Sequence, residues 1–173
     1  MIFTKRKSKT VSSFKAGDDG KYVFMGAHFA FSGDYARFRA LLVTLSAAIA
    51  VLWVGGGFIP APGMMNGFYV IIPYFAATLV SAALTVWAAL RAVFYGERLR
   101  DYVYETTVKA LPARAVATVV CAAISAVCEI VYLIINGTDG FVWTALSCAV
   151  LAAISACALL LRRTAKTSVW KKE

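Results

Sequence analysis

The chain has 173 residues, of which 61% are hydrophobic and 16% are charged, with a formal net charge of +9 and a mean hydropathy of +0.72. This composition is typical of an integral membrane protein and excludes an ordinary soluble domain, which needs a polar surface. Its basic residues lie between long apolar runs, so they indicate membrane topology and contact with anionic lipid headgroups and give no reason to expect nucleic-acid binding.

The first 36 residues are predicted to form a short polar arm. Within residues 21–31, aromatic side chains alternate on both sides of Met25 and Gly26. This pattern fits either a small β-hairpin at the membrane interface or an amphipathic interfacial segment. His28 is the only histidine in the chain. A single histidine without other metal ligands nearby is expected to be an ordinary surface residue.

Four apolar runs follow the arm, each close to the ~20 residues with which a helix crosses a ~30 Å hydrocarbon layer. They show no period-2 alternation, which excludes a transmembrane barrel. The sequence therefore predicts an all-α integral membrane protein whose four-transmembrane-helix bundle occupies residues 37–163. The predicted spans are residues 40–59, 68–90, 115–135 and 141–161.

The orientation of the spans follows from the basic residues. All 18 Lys and Arg precede the first span, lie between the second and third, or follow the fourth. Residues 60–67 and 136–140 contain none. The positive-inside rule then places both termini in the cytoplasm, including a basic tail at residues 164–173, and the expected location is the plasma (inner) membrane.

Residues 91–114 are predicted to extend the second span as a cytoplasmic helix and loop. On such a helix, Glu97, Asp101 and Glu105 would stack on one face at i, i+4 and i+8, and Lys109 would pair with Glu105. Stacked carboxylates could bind a cation or a basic partner. A solvated, charged helix face is the favoured interpretation.

The four spans also resemble two tandem helical hairpins. Arg39 and Arg114 each precede an apolar span with Ala-Ala-Ile at the same distance from the arginine. Tandem repeats are a recurring way of building small transporters. Alanine-rich spans align easily, however, so duplication and a unique sequence both remain open.

Small residues follow one another at four-residue intervals along span four, at Ala145, Ala149, Ala153 and Cys157. Such stripes let helices approach closely in lipid. The stripe is expected either to pack inside the protein's own bundle or to mediate self-association with a second copy or another membrane protein.

All four cysteines lie in spans three and four and none forms a CxxC pair, so they are expected to be reduced packing residues. No cluster of metal ligands is visible, and no metal or cofactor is expected. The cysteines are Cys121, Cys128, Cys148 and Cys157.

Glu129 is the only carboxylate within the predicted spans. It lies about 10 Å below the outer surface, counted at 1.5 Å per residue from the turn after span three. A charge there costs ~2.5 kcal/mol or more, so the carboxyl is expected to be protonated or to face polar groups. Hydroxyl side chains on spans three and four are predicted to complete an intramembrane polar site with it. These are Ser125, Tyr132, Thr144 and Ser147.

This site allows two roles for Glu129. A protonated carboxyl could cross-link spans three and four through the hydroxyls, in which case an apolar replacement should destabilise the pair. Alternatively, the carboxyl could carry a proton or bind a cation. The structural role is slightly favoured, because nothing comparable on spans one and two completes a pathway.

Two functions follow from these roles. No HExxH motif, Ser/His or Ser/Lys pair or phosphate-binding loop is present, so the protein is predicted not to be an enzyme. The favoured function is an accessory or scaffold subunit that associates with itself or with a larger membrane assembly. The alternative is a small oligomeric transporter or channel that uses Glu129. The first predicts a dry, filled bundle, and the second predicts a polar cavity reaching the carboxyl.

Overall fold

The computed structural model describes residues 14–16, 22–24, 26–137 and 139–173. A π-helical segment, Ser81–Val86, joins the helices Phe68–Val80 and Trp87–Tyr95 without a break. The helices are α1 (Tyr35–Gly56), α2 (Pro62–Asn66), α3 (Phe68–Val80), α4 (Trp87–Tyr95), α5 (Asp101–Thr106), α6 (Leu111–Asn136) and α7 (Phe141–Thr167). The strands are β1 (Phe14–Ala16), β2 (Tyr22–Phe24), β3 (His28–Phe31), β4 (Arg98–Arg100) and β5 (Trp170–Lys172).

Within the described residues, four helical stretches are long and apolar enough to cross a membrane, so the four predicted spans are confirmed as helices of that kind. They contain α1, α3 with α4, α6 and α7. Only 22% to 33% of each apolar stretch is buried inside the protein. Most apolar side chains therefore face outward, as expected for helices surrounded by lipid rather than water.

The four long helices form a ring of antiparallel neighbours. α6 packs along α7, α7 against α1, α1 against α4, and α3 against α6. Leu42, Ile49 and Ile154 are among the fully buried side chains between them. A duplicated sequence and a unique one would both produce such a ring, so the tandem-hairpin interpretation stays a prediction.

One end of the bundle, here called the basic end, carries Arg39, Arg91, Arg114 and Arg162 at the helix termini. The opposite end, the loop end, carries residues 57–67 and 137–140. α1 begins at the basic end with a side-chain cap, because the Arg37 backbone N–H donates to Asp34 Oδ1 at 3.0 Å. α1 therefore begins five residues before the predicted span. The apolar run indicates only the part of the helix suited to cross a membrane, whereas the capping residue fixes where the helix begins.

A three-stranded antiparallel sheet covers the basic end, in the order β4-β3-β5. Its inner face packs on α1, where the ring of Phe31 lies 4.9 Å from that of Phe38 and 5.1 Å from that of Trp170. Leu99, at the centre of β4, is fully buried. Phe31, one of the aromatic side chains predicted to lie on the membrane interface, is thus half-buried and packs against the protein's own core.

The hairpin predicted at residues 21–31 is wrong in its pairing. β2 pairs with β1 upstream, and β3 pairs with β4 and β5. β2 and β3 are therefore strands, as the alternating aromatics indicate, but they belong to different sheets. The basic tail at residues 164–173 contains regular structure, because α7 continues to Thr167 and β5 follows it.

The helical extension of the second span that was predicted within residues 91–114 is also wrong. α4 ends at Tyr95, because the next residue, Gly96, has a φ of +78°, which is incompatible with a right-handed helix, and β4 follows. Glu97 consequently lies outside any helix, and its carbonyl accepts the Phe31 N–H at 3.0 Å. The three-carboxylate face is not formed, since only Asp101 and Glu105 share α5. The predicted pair of Lys109 and Glu105 is confirmed at 3.3 Å, although both side chains are largely exposed and contribute little stability.

Candidate functional site

Glu129 lies on the buried face of α6, toward the loop end, and is 1% exposed. This face recurs every three or four residues, which is the spacing that brings side chains to one side of a helix. Apart from Glu129, it carries only small, hydroxyl and aliphatic side chains. The buried residues of α6 are Leu111, Ala115, Thr118, Ala122, Ser125 and Glu129.

The structure places the predicted site residues on two packed helices. Ser125, Thr144 and Ser147 are buried, and Tyr132 is half-buried.

The cross-link predicted between Glu129 and the hydroxyls is not formed. Both carboxyl oxygens are buried without a hydrogen-bond partner in the described part of the chain, and so is Thr144 Oγ1. Ser125 instead donates to the Cys121 carbonyl of its own helix at 3.1 Å. Serine commonly makes this bond to the preceding turn in apolar surroundings, since it satisfies the hydroxyl without a second helix.

The loop between α1 and α3 covers the Glu129 carboxyl. Its short helix, α2, packs against α6 and α7, and Gly63 of α2 is buried. A methyl group at Gly63 would lie 2.6 Å from Glu129 Oε2 and 3.2 Å from Cγ of Tyr132. A side chain at Gly63 would therefore collide with Glu129 and Tyr132, so the glycine permits the close approach of α2.

Two further glycines allow this loop to pack closely against the bundle. A methyl group at Gly67 would lie 2.9 Å from the ring of Tyr132, and one at Gly140, in the α6–α7 turn, would lie 2.3 Å from Cγ of Pro62. Sequence reasoning treated residues 60–67 as a plain connection and missed this cover. The spacing of Gly63 and Gly67, one helical turn apart beside two prolines, was the available signal.

A second buried polar group, also missed, lies toward the basic end. Thr85, in the π-helical segment, lies 2.8 Å from Thr118 on α6, oxygen to oxygen, and 3.1 Å from the Arg114 carbonyl. Ser81 lies 3.5 Å from Thr118. Span two therefore carries buried hydroxyls. Thr118 lies about 16 Å along α6 from Glu129, counted over eleven residues, so the two groups are separate.

The small-residue stripe of α7 does not pack within the bundle along its whole length. Ala145 and Ala149 are exposed, whereas Ala153 and Cys157 are half-buried. The buried face of α7 instead carries Thr144, Ser147, Leu151, Ile154, Ala158, Leu161 and Ala165. Of the two predicted uses of the stripe, internal packing fails for its first half, and self-association stays a prediction.

No metal-ligand set is apparent in the described ranges, where no three His, Cys, Asp or Glu side chains converge. The four cysteines are free thiols and half-buried. His28 lies on β3 and lines a cleft at the basic end.

No family model matches the chain, and comparisons with curated proteins and with solved structures return no similar protein. Its function is therefore argued from its own geometry.

Proposed function

We propose that the protein is a non-enzymatic accessory or scaffold subunit of a membrane, associating with itself or with a larger membrane assembly. The observation that supports this most is the enclosure of Glu129. Its carboxyl is buried under Gly63, and a methyl group does not fit between them. Water and hydrated cations therefore do not reach the only carboxylate of the four spans in this conformation, as expected for a filled bundle.

The outward part of the α7 stripe supports association. Ala145 and Ala149 lie on a surface that no helix of the described chain covers. Small side chains on a lipid-facing surface let a second helix approach closely. Van der Waals packing between the two helices is then a main attraction that holds them together in lipid. The partner in this proposal is a second copy of the chain or another membrane protein.

The proposed location is the plasma (inner) membrane, with both termini in the cytoplasm. This proposal rests on the basic residues, which occupy the ends of α1, α4, α6 and α7 at one end of the bundle. Each basic residue close to anionic headgroups contributes about 1 kcal/mol.

Replacing Ala149 with leucine should weaken self-association and leave the folded monomer intact. The leucine would point outward, where it holds a partner helix away without disturbing the bundle. The measurement is cross-linking in lipid vesicles at several protein-to-lipid ratios, with thermal unfolding in detergent as the check on folding.

Ala158→Leu is the matched control, because Ala158 lies on the same helix but is fully buried. Overpacking there should cost about 1–3 kcal/mol of unfolding free energy. Unchanged cross-linking of both Ala145→Leu and Ala149→Leu would contradict the association face.

A transporter or channel remains the second candidate, because the buried carboxyl of Glu129 has no hydrogen-bond partner among the described residues and could take up a proton or bind a cation. The proposed accessory role predicts that purified protein in liposomes gives no proton or monovalent-cation flux above that of empty vesicles. Flux of the wild type that disappears in Glu129→Gln would reject the accessory role, since this change keeps the shape and removes only the titratable group.

A further inference from the structure

The short helix α2 rests on the bundle through packing contacts. Among the described residues, every hydrogen bond of α2 and of Ala61 before it stays within the loop between α1 and α3. The Met65 N–H donates to the Ala61 carbonyl at 3.1 Å, and the side chain of Asn66 donates to the Pro62 carbonyl at 3.2 Å. α2 can therefore move away from α6 and α7 without breaking a hydrogen bond to either helix.

Two close contacts set the position of α2. Gly63 lies over the Glu129 carboxyl so closely that an added methyl group would come within 2.6 Å of Oε2. Pro62, at the start of α2, lies against the α6–α7 turn, where a methyl group on Gly140 would collide with the proline ring. The carboxyl is thus enclosed between α6 and α2, and lifting α2 would open it toward the loop end.

An ionised Glu129 would have no stabilising partner in this position. Both of its oxygens lack a hydrogen-bond partner among the described residues. Residues 57–67 and 137–140 at the loop end contain no Lys, Arg or His, and Asp139, exposed in the α6–α7 turn, would carry the same charge. Because a buried charge without a partner is costly, the enclosed carboxyl is the protonated, uncharged form.

The other titratable side chains around Glu129 are uncharged at neutral pH. α2 itself has none. Tyr132 on α6 packs on Tyr69 of α3, with ring centroids 6.1 Å apart, and Cys148 lies one turn after Thr144 on α7. Phenols and thiols ordinarily ionise above about pH 8. Below that pH, Glu129 is therefore the group whose ionisation changes the charge beneath α2.

We propose that α2 is a pH-sensitive lid. It closes over Glu129 while the carboxyl is protonated, and it lifts toward the loop end when the carboxyl gives its proton to water. A carboxyl exposed to water ionises above about pH 4.3, so the open form binds fewer protons than the closed form at neutral pH. Raising the pH therefore favours opening, by at most about tenfold in the open-to-closed ratio per pH unit, because one proton is released.

A distance measurement between two spin labels in lipid nanodiscs tests the lid. The labels replace Met65 on α2 and Val120 on α6, both exposed, in the full chain with its four cysteines replaced by alanine. Cys148 is then no longer a titrating group. Val120 lies about 24 Å along α6 from the end of that helix at the loop end, so lifting of α2 lengthens the distance. We expect the longer distance to gain population as the pH is raised from about 5 to about 8.

Two variants and a second label pair are the controls. Glu129→Gln and Glu129→Met should keep the shorter distance at every pH, because neither side chain ionises. Labels at Val120 and Val142 leave out α2, so their distance should not change with pH. Gly140→Ala, in which the added methyl group displaces Pro62, supplies the reference distance of a lifted lid.

The position of α2 is measured without reference to association or ion flux, so the lid is tested separately from the accessory role. A distance that does not change with pH in the chain with Glu129 would overturn the proposal. The same pH dependence in both variants at position 129 would also overturn it, because another group would then move α2.

Discussion

Replacing Glu129 with methionine should raise the free energy of unfolding by about 2 kcal/mol. Both carboxyl oxygens are buried without hydrogen-bond partners among the described residues. Burying a polar group without a partner lowers the free energy of unfolding by about 1–3 kcal/mol. Methionine is similar in length, flexible and apolar, so it can fill the space under Gly63 without that cost. The measurement is unfolding in detergent by titration with a denaturing detergent.

Glu129→Gln is the control for this prediction, because it keeps the shape and leaves a polar group in the same place. Its stability should stay within about 0.5 kcal/mol of the wild type. The sequence alone led to the opposite expectation, that an apolar side chain would break a cross-link between spans three and four. A destabilised methionine variant beside a stable glutamine variant would show that the carboxyl has a partner in the membrane after all.

Replacing Gly140 with alanine should lower the free energy of unfolding by about 3 kcal/mol. Gly140 has a φ of +81°, at which an L-residue costs roughly 1–2 kcal/mol. The added methyl group would also lie 2.3 Å from Cγ and 2.9 Å from Cδ of Pro62. Since ring atoms cannot rotate away, α2 would have to lift from the α6–α7 turn, which adds an overpacking cost of about 1–3 kcal/mol.

A double-mutant cycle separates the two causes. Pro62→Ala removes both ring atoms, so in that background Gly140→Ala should retain only its backbone cost. The expected coupling energy between the two positions is at least about 1 kcal/mol. Gly55→Ala is a further control, because nothing lies within 4 Å of the added methyl group and no loss is expected. Additive effects at positions 62 and 140 would mean that α2 does not rest on this turn.

Sequence reasoning failed where contacts over long sequence separations decide the structure. Residues 98–100 were predicted as helix, since their charges fit a helical spacing, yet they form the edge strand β4 beside β3. Pairing with β3, about seventy residues earlier in the chain, outweighs the local helical preference. The pairing satisfies backbone hydrogen-bonding groups of β4 and buries Leu99. The incorrect pairing of the N-terminal strands has the same origin, since alternation marks a strand without naming its partner.

The candidate site shows the same limit. The sequence alone indicated that the Glu129 carboxyl is protonated or faces polar groups, because a charge in a long apolar run is costly. The sequence did not predict that Gly63 packs over the Glu129 carboxyl. α2 has only five residues and is far from Glu129 in the chain, so its packing position on α6 and α7 could not be predicted. The hydroxyl partners were also misjudged, because spacing places Ser125 near Glu129 but does not show that its hydroxyl bonds to its own helix.

The sequence by itself determined the four long helices, since each helix satisfies its backbone groups internally and the length of an apolar run measures the span. It also determined which helix ends share the basic side, because antiparallel spans alternate. Only the tertiary structure decided which face of α7 is buried, and so which small residues remain outside. In a helix that is apolar all round, periodicity does not distinguish a lipid-facing side from a packed one, and that choice depends on how the neighbouring helices fit.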